Sequence, residues 1–525
     1  MLTLKQSIAL VLLAATPFAA SAGIVDAASE DLGLYPARSF QVATGKCGEC
    51  RASRQALWHF QQEQIAAPAA KAALISASSK TPVDDELPLV WLGSTKVING
   101  AMLSASGKQI DMGPDGKMAF SIVPKLSTNL SYFNDATEAF YAKRPLRLRG
   151  EVVTASNGAR SFVARTIWPQ DFAIAPSAVR PLASGETLLS LIKAEQGGAK
   201  SPFATRVLWR RDPSQKWAGK AVMGLMLNGA QGDDDEAHGG HFGVVTGKYT
   251  DGSFHHWLVN NFYGINSISE KGIVAAVTPM DKYMTDLNNG QSFYRPSYML
   301  VAILKSDQIP RAYQAEINHV FDRFYRHEFE YDHAKANCSG ISTDGFRNIG
   351  WSIPFQGNSE KVKAIPAYAY VATTKGSLHE GRKIYDYLTE ESTRLYPARA
   401  FDVMGEDMLA LVQGKAGRSL TDLEKALGEQ LEAIVFVRIP QIPSSRAYGL
   451  APIASFSEYL AQAPEDRSKW KIVPTEPRPF PDELREYPAP APSEFPVPMP
   501  VGLAALLLVT GFAVGVRWVL RRWKK

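Results

Sequence analysis

The chain sets a histidine at the head of a strand-like segment and a cysteine at the head of a helical one about a hundred residues later, an order that few folds accommodate. The first piece reads His241-Phe242-Gly243-Val244-Val245-Thr246-Gly247; the second reads Tyr331-Asp332-His333-Ala334-Lys335-Ala336-Asn337-Cys338-Ser339-Gly340. After the first, Asp251-Gly252 marks a turn, and Phe254-His255-His256-Trp257-Leu258-Val259-Asn260-Asn261 runs back as a second strand. Two histidine-bearing strands are thereby paired. Arg311 to Phe329 has helical spacing, and Asn337-Cys338 opens a further helix through Ile341, Phe346 and Ile349. A thiol at a helix N-terminus is made more acidic by the dipole and the unpaired amides, and a nearby imidazole adds to the effect.

The chain has three cysteines. Cys47-Gly48-Glu49-Cys50 reads as a disulfide across a short turn in an exported protein. Haem attachment would require histidine next, where Arg51 stands, and zinc would require two further ligands that the sequence does not supply at matching spacing. Pairing Cys47 with Cys50 leaves Cys338 single: either a reactive thiol or an inert, small apolar core residue.

The order and spacing of these pieces resemble the permuted papain-like fold of the NlpC-type peptidase superfamily, especially its lecithin:retinol acyltransferase branch. His241-Phe242-Gly243-Val244, a second histidine on the next strand, and Asn337-Cys338 with Tyr331 seven residues before the cysteine carry the resemblance, over roughly residues 220–355. Ser339-Gly340-Ile341 departs from the Glu-His-Phe that follows the cysteine in the acyltransferases and is closer to bacterial relatives. The resemblance implies Cys338 as nucleophile, His241 as general base and a second histidine as orienting group. Counting from Gly252 by the family's spacing favours His256, while turn type leaves His255 open. Tyr331 and Asn337 fall at substrate-binding positions. The Cys338 backbone N–H is the expected oxyanion donor, and no cofactor is implied.

A metal reading competes for the same region, since His238-Gly239-Gly240-His241 follows Asp233-Asp234-Asp235-Glu236. Gly239-Gly240 argues against the helix that would put both histidines on one face, and no glutamate completes a zinc-protease motif, so no metal is expected. The acidic run reads as a solvated loop, or as a gate or Ca²⁺ site.

Both ends read as addresses. Lys5, the apolar run Ile8 to Ala15 and Ala20-Ser21-Ala22 have the order of a secretory signal over residues 1–22. Val501 to Val516 is apolar and is followed by Arg517, Arg521, Arg522, Lys524 and Lys525. About 16 residues at 1.5 Å rise reach roughly 24 Å against a hydrocarbon core of about 30 Å. A transmembrane helix is therefore expected over 501–520, with a cytoplasmic basic tail at 521–525. Val497-Pro498-Met499-Pro500 before that run resembles a PEP-CTERM-type sorting signal, with Met499 where that family usually has glutamate. Proline density over 473–500 reads as an extended stalk.

Between these ends the expected organisation is a helical segment carrying the Cys-x-x-Cys pair (23–86), a small antiparallel β domain (87–175), the thiol-hydrolase domain (190–400) and an α/β closing segment (401–472). Asn157-Gly158 between alternating runs marks a hairpin in the β domain. A short echo, Leu34-Tyr35-Pro36-Ala37-Arg38 and Leu395-Tyr396-Pro397-Ala398-Arg399, suggests two equivalent docking segments. At 525 residues, 45% hydrophobic and 21% charged, the chain is ordinary globular material, and a net charge of +5 spread along it gives no argument for nucleic acid. The fold class expected is α+β: a permuted papain-like core, an N-terminal antiparallel β domain and one C-terminal transmembrane helix. The expected function is an exported, membrane-tethered thiol hydrolase of the periplasm or outer face of the cell membrane. It would cleave amide bonds of the cell envelope, with lipid or ester acyl transfer, or a non-catalytic envelope-binding module, as the alternatives.

Overall fold

The computed structural model describes residues 23–26, 30–47, 52–61, 63–69, 87–126, 133–235, 237–263, 267–268, 275–444, 447–473, 476–477 and 480–484. Ten strands form the central sheet, in the order Ala204–Arg210, Leu431–Ile439, Ser297–Leu304, Ala221–Asn228, His241–Lys248, Leu258–Asn261, Ala276–Pro279, Val90–Gly93, Gln64–Pro68, Phe40–Thr44. Neighbours are antiparallel except at Val277 beside Val90. The middle strands are apolar on both sides because both sides are covered: Ala221–Asn228 and Ser297–Leu304 are buried at every position. Leu225, Leu227, Phe242, Val244 and Leu300 enter a core beneath the helices Gln308–Tyr325, Cys338–Asn348 and Pro397–Val412. The alternate residues Val222, Met226, Val245, Val259, Met299 and Val301 enter a second core with Trp168, Trp217 and Trp257. That alternation is the period of two of a strand.

A second sheet closes on itself. Lys96–Leu103, Gln109–Asp111, Lys117–Ile122, Arg160–Pro169 and Leu146–Thr154 follow one another, and the last pairs back with the first. Ile98, Leu148 and Phe162 fill this small Greek-key barrel with Tyr141 from the helix Asp135–Tyr141. The Asn157-Gly158 turn joins two of its strands, with Gly158 at φ 81°. One neighbouring pair, Lys117–Ile122 with Arg160–Pro169, is parallel, which the expected all-antiparallel domain did not include.

Three expectations are corrected. The fold class is mixed α/β with two large sheets, and among the described residues no helix is long and apolar enough to cross a membrane; residues 1–22 and 501–525, where the signal and the span were expected, lie outside those residues. Among the described residues of the segment expected to be helical, 23–86, the α-helix is Arg54–His59, and the chain then becomes the strand Gln64–Pro68, with Ile65, Ala66 and Ala67 buried. Pairing with Phe40–Thr44 and Val90–Gly93 there outweighs helix propensity.

The start of the proline-rich stretch is no free stalk. Lys471 exchanges backbone and side-chain hydrogen bonds with Asp235, and Glu476–Pro477 pairs with Ser267–Ile268. Phe480 is buried between the rings of Trp58 and His327. Residues 485–500 lie outside the described part. In the two echoed segments Leu34, Tyr35, Leu395 and Tyr396 are all buried, after which one enters a single 3₁₀ turn and the other the helix Pro397–Val412.

Candidate active site

Gly240 makes the entry to the histidine strand. It has φ 72°, and a Cβ on it would lie 2.5 Å from the Asn228 carbonyl oxygen and 2.6 Å from Pro452; only glycine turns the chain this closely into the sheet. His241 is then the first residue of its strand, directly across from Asn228, which in turn faces Ser297. Asn228 Nδ2 donates to Ser297 Oγ at 2.8 Å, and the Tyr283 hydroxyl donates to Asn228 Oδ1.

The imidazole of His241 is 2% exposed. Its Nε2–H donates to Asn261 Oδ1, and its ring stacks on Tyr263 with centroids 4.4 Å apart. That bond fixes the tautomer and leaves Nδ1 as the nitrogen able to take a proton. Burial, reinforced by the Arg295 charge and opposed by the Asn261 bond, pushes the His241 pKa down to about 3. The ring is a neutral base.

Cys338 opens its helix because Asn337 caps it. Asn337 Oδ1 accepts from the N–H groups of Ser339 and Gly340, both at 2.9 Å, while its Nδ2 donates to the carbonyls of His333 and Leu395, both at 3.0 Å. The side chain expected to bind substrate is thus committed to backbone, and its work is to hold the helix start. The Cys338 sulfur is 4% exposed and receives hydrogen bonds from the Phe242 backbone N–H and the Tyr331 hydroxyl. Burial nonetheless raises the thiol pKa. The N–H of Cys338 points at the Tyr331 oxygen, so the expected oxyanion donor faces a tyrosine hydroxyl in this state.

The fold therefore brings Cys338, Tyr331 and the backbone beside His241 together, yet no thiol–imidazole hydrogen bond forms among the described residues. Strand alternation explains it. Phe242 enters the helix-side core that contains Cys338, whereas His241 shares the barrel side with Asn261 and Tyr263. The two groups meet around the end of the strand, at the Phe242 N–H.

Neither His256 nor His255 orients His241. Val244 pairs with Asn260, a register that continues to Tyr263 opposite His241 and puts His256 opposite Lys248. His256 Nε2 lies 3.2 Å from the Lys248 carbonyl oxygen, seven residues or roughly 23 Å along the strand. The carbonyl of His255 accepts from the Asp281 N–H, and burial with the charges of Arg147 and Arg149 depresses its imidazole pKa. The residue that holds the His241 ring is Asn261.

Comparison with known proteins adds no relative: no family, no curated protein and no solved structure matches the chain. The site has to be judged on its geometry.

Of the remaining candidates, Cys47 is disulfide-bonded and Cys338 is free; Cys50 lies outside the described residues. His238 is buried with neither ring nitrogen hydrogen-bonded, near Tyr459, and Asp235 and Asp234 only partly offset the burial that lowers its pKa. Reading the sequence for chemistry missed Asn261, Tyr263 and Arg295. The register of the two strands, extended from their apolar centres, is the signal that finds the first two; nothing local marks Arg295.

Beside Asn261 lies a small, open pocket lined by Trp91, Asn261, Thr278, Lys282, Tyr283, Asn289 and Gln291. Thr278 is buried there with its hydroxyl unbonded.

Proposed function

We propose that the protein is a thiol hydrolase or acyltransferase in which Cys338 attacks an acyl carbon, His241 serves as base and Asn261 orients the imidazole. The observation that carries this reading is the arrangement at the end of the His241 strand: a capped helix start sets the Cys338 sulfur on the backbone N–H of the residue after His241, and the imidazole next to it is tied at Nε2 with Nδ1 left for the thiol proton. In the reaction Nδ1 takes that proton, the thiolate adds to the carbonyl, and the imidazolium returns the proton to the leaving amine or alcohol. A thioester remains, which water or another nucleophile resolves. The Cys338 N–H and the Tyr331 hydroxyl, which already face each other, are the donors placed for the oxyanion. The substrate class proposed is an amide of a cell-envelope peptide or protein outside the cytoplasm, on the strength of the signal-like N-terminus and the NlpC-type resemblance; an ester or lipid acyl group comes second.

The burial of both groups favours a second reading, a binding module that retains the scaffold with an inert thiol. Alkylation of Cys338 by iodoacetamide, located by mass spectrometry in the wild type and in His241→Ala, separates the two. Labelling at neutral pH that falls when His241 is removed supports the enzyme. Slow labelling indifferent to His241 leaves the module.

A further inference from the structure

Among the described residues, Arg295 is a buried charge beside this site that no opposite charge answers. It is 1% exposed. Nε and Nη2 donate to Gln291 Oε1, Nη2 also donates to the Tyr263 hydroxyl at 3.1 Å, and Nη1 donates to the Gly229 carbonyl at 3.2 Å. A guanidinium has five N–H groups, so one on Nη1 is left over. Every partner is neutral, and among the described residues no carboxylate pairs with it. The other two fully buried arginines among the described residues, Arg147 and Arg149, pair with Asp281, and the partly buried Arg165 pairs with Asp286 and Glu63. A buried cation without a counter-ion is costly, and an anion arriving from outside would offset that cost.

Its place gives it a use. Tyr263 bridges the guanidinium to the His241 ring, and Gln291 and Asn261, which hold Arg295 and His241, are both walls of the pocket beside the base. We propose that Arg295 is the anion-recognising residue of this active site, selecting acyl donors that carry a carboxylate close to the bond being broken, such as a peptide with a free carboxylate on or next to the scissile residue. Gln291 and Tyr263 position the guanidinium and give way to the incoming carboxylate, a bidentate partner that matches its fork. The Arg295 charge also favours the neutral form of His241, so the same residue keeps the base unprotonated and draws the substrate in. This inference rests on the thiol-enzyme reading.

Two alkylating probes of nearly equal size test it without a known substrate: iodoacetate, which carries a carboxylate, and iodoacetamide, which does not. In both, the Cys338 sulfur forms a bond to the methylene carbon and iodide leaves. The rate for Cys338 with each is compared with that of a free thiol under the same conditions. The expected result is a preference for iodoacetate about tenfold above the free-thiol ratio, screened by salt, lost in Arg295→Gln and partly kept in Arg295→Lys, the ratio of the two rates being the readout. If Cys338 reacts with both probes in the free-thiol ratio, the anion site is refuted while the thiol enzyme stands. If Cys338 resists both probes, the enzyme reading fails and the inference with it. The wild-type ratio is informative alone, so a poorly folding variant does not spare the proposal.

Discussion

Two buried polar regions of the molecule are built on opposite principles. Where the barrel meets the sheet, Arg147 and Arg149 share Asp281, Arg147 also reaches Glu30, and Lys282 and Arg165 share Asp286. Each charge there has an opposite charge in contact, and Asp281 and Asp286 hold pKa values below the usual carboxylate range, Asp286 at about 2. Around Cys338 and His241 burial is just as deep, but the titratable groups are held neutral: the imidazole pKa is down to about 3, the thiol pKa is raised, and those of Tyr263, Tyr283 and Tyr331 are raised as well. The first arrangement fixes two sheets against each other. The second keeps its imidazole, thiol and phenols in their neutral forms, as burial away from carboxylates dictates.

The largest effects should divide along that line. Cys338→Ala is expected to abolish labelling and any hydrolysis while costing no more than about 1 kcal/mol of stability, because one sulfur is lost from a helix start that Asn337 still caps. Asp281→Ala should do the reverse, removing about 3–5 kcal/mol by leaving Arg149 without a counter-charge and Arg147 with Glu30 alone. Urea unfolding beside the labelling assay measures both. A Cys338→Ala variant that unfolds as readily as Asp281→Ala would erase the distinction between the regions.

Asn261→Ala follows. It leaves Cys338 and His241 in place and removes the bond that fixes the tautomer, so the His241-dependent part of Cys338 reactivity should fall about tenfold or more. His256→Ala should leave that rate unchanged, because its ring belongs to the far end of the strand. The reverse pattern would restore the second histidine as the orienting group.

That pair of variants also marks how far the sequence could be read. The strands on either side of Asp251-Gly252, the helix opening at Cys338 and the hairpin at Asn157-Gly158 follow from local patterns of alternation, capping and turn chemistry. Asn261 was overlooked because the loop between the two strands is long, so a count from its glycine does not give the register; pairing set by Val244 and Asn260 does. The three segments 40–44, 64–68 and 90–93 pair with one another locally, but their joining to the central sheet rests on one parallel step, Val90 beside Val277, which no short window of sequence contains. The charge clusters share that limit: Arg147 and Asp281 are 134 residues apart.

The pH dependence of stability should separate the regions by window. His241 has a folded pKa of about 3 against an ordinary 6.5, so between those values the unfolded chain binds more protons and stability falls as pH falls, by up to about 1.4 kcal/mol per pH unit for one full proton. His238, His255, His256 and His333 are depressed too and contribute in the same direction. The difference between wild type and His241→Gln isolates the reactive site. Asp286, lowered to about 2 from 3.8, contributes stability that is present above pH 4 and lost only as the pH drops toward 2, on the order of 2 kcal/mol in all. Urea midpoints from pH 7 to 3 should therefore slope less in His241→Gln than in wild type. Equal slopes would mean that the imidazole is not held neutral by the fold.

The smallest effect expected is at the docked segment near the C-terminus, which touches both flanks of the reactive site: Asp235 lies ahead of His241, and Ser267–Ile268 follow Tyr263. Phe480 anchors it through two ring contacts, with centroids 5.5 Å from Trp58 and 5.7 Å from His327. Phe480→Ala removes those contacts from a short segment with few others, so the loss should appear as local opening, well below the 3–5 kcal/mol of a phenylalanine deleted from a main core. Hydrogen exchange is the measurement, with faster exchange expected at 476–484 and at 267–268 and unchanged protection in Ser297–Leu304. If the iodoacetamide rate at Cys338 rises in the same variant, the depth of burial at the reactive site is partly the work of this segment; if exchange quickens and the rate stays the same, the site is closed by the sheet, Tyr263 and Tyr331 alone.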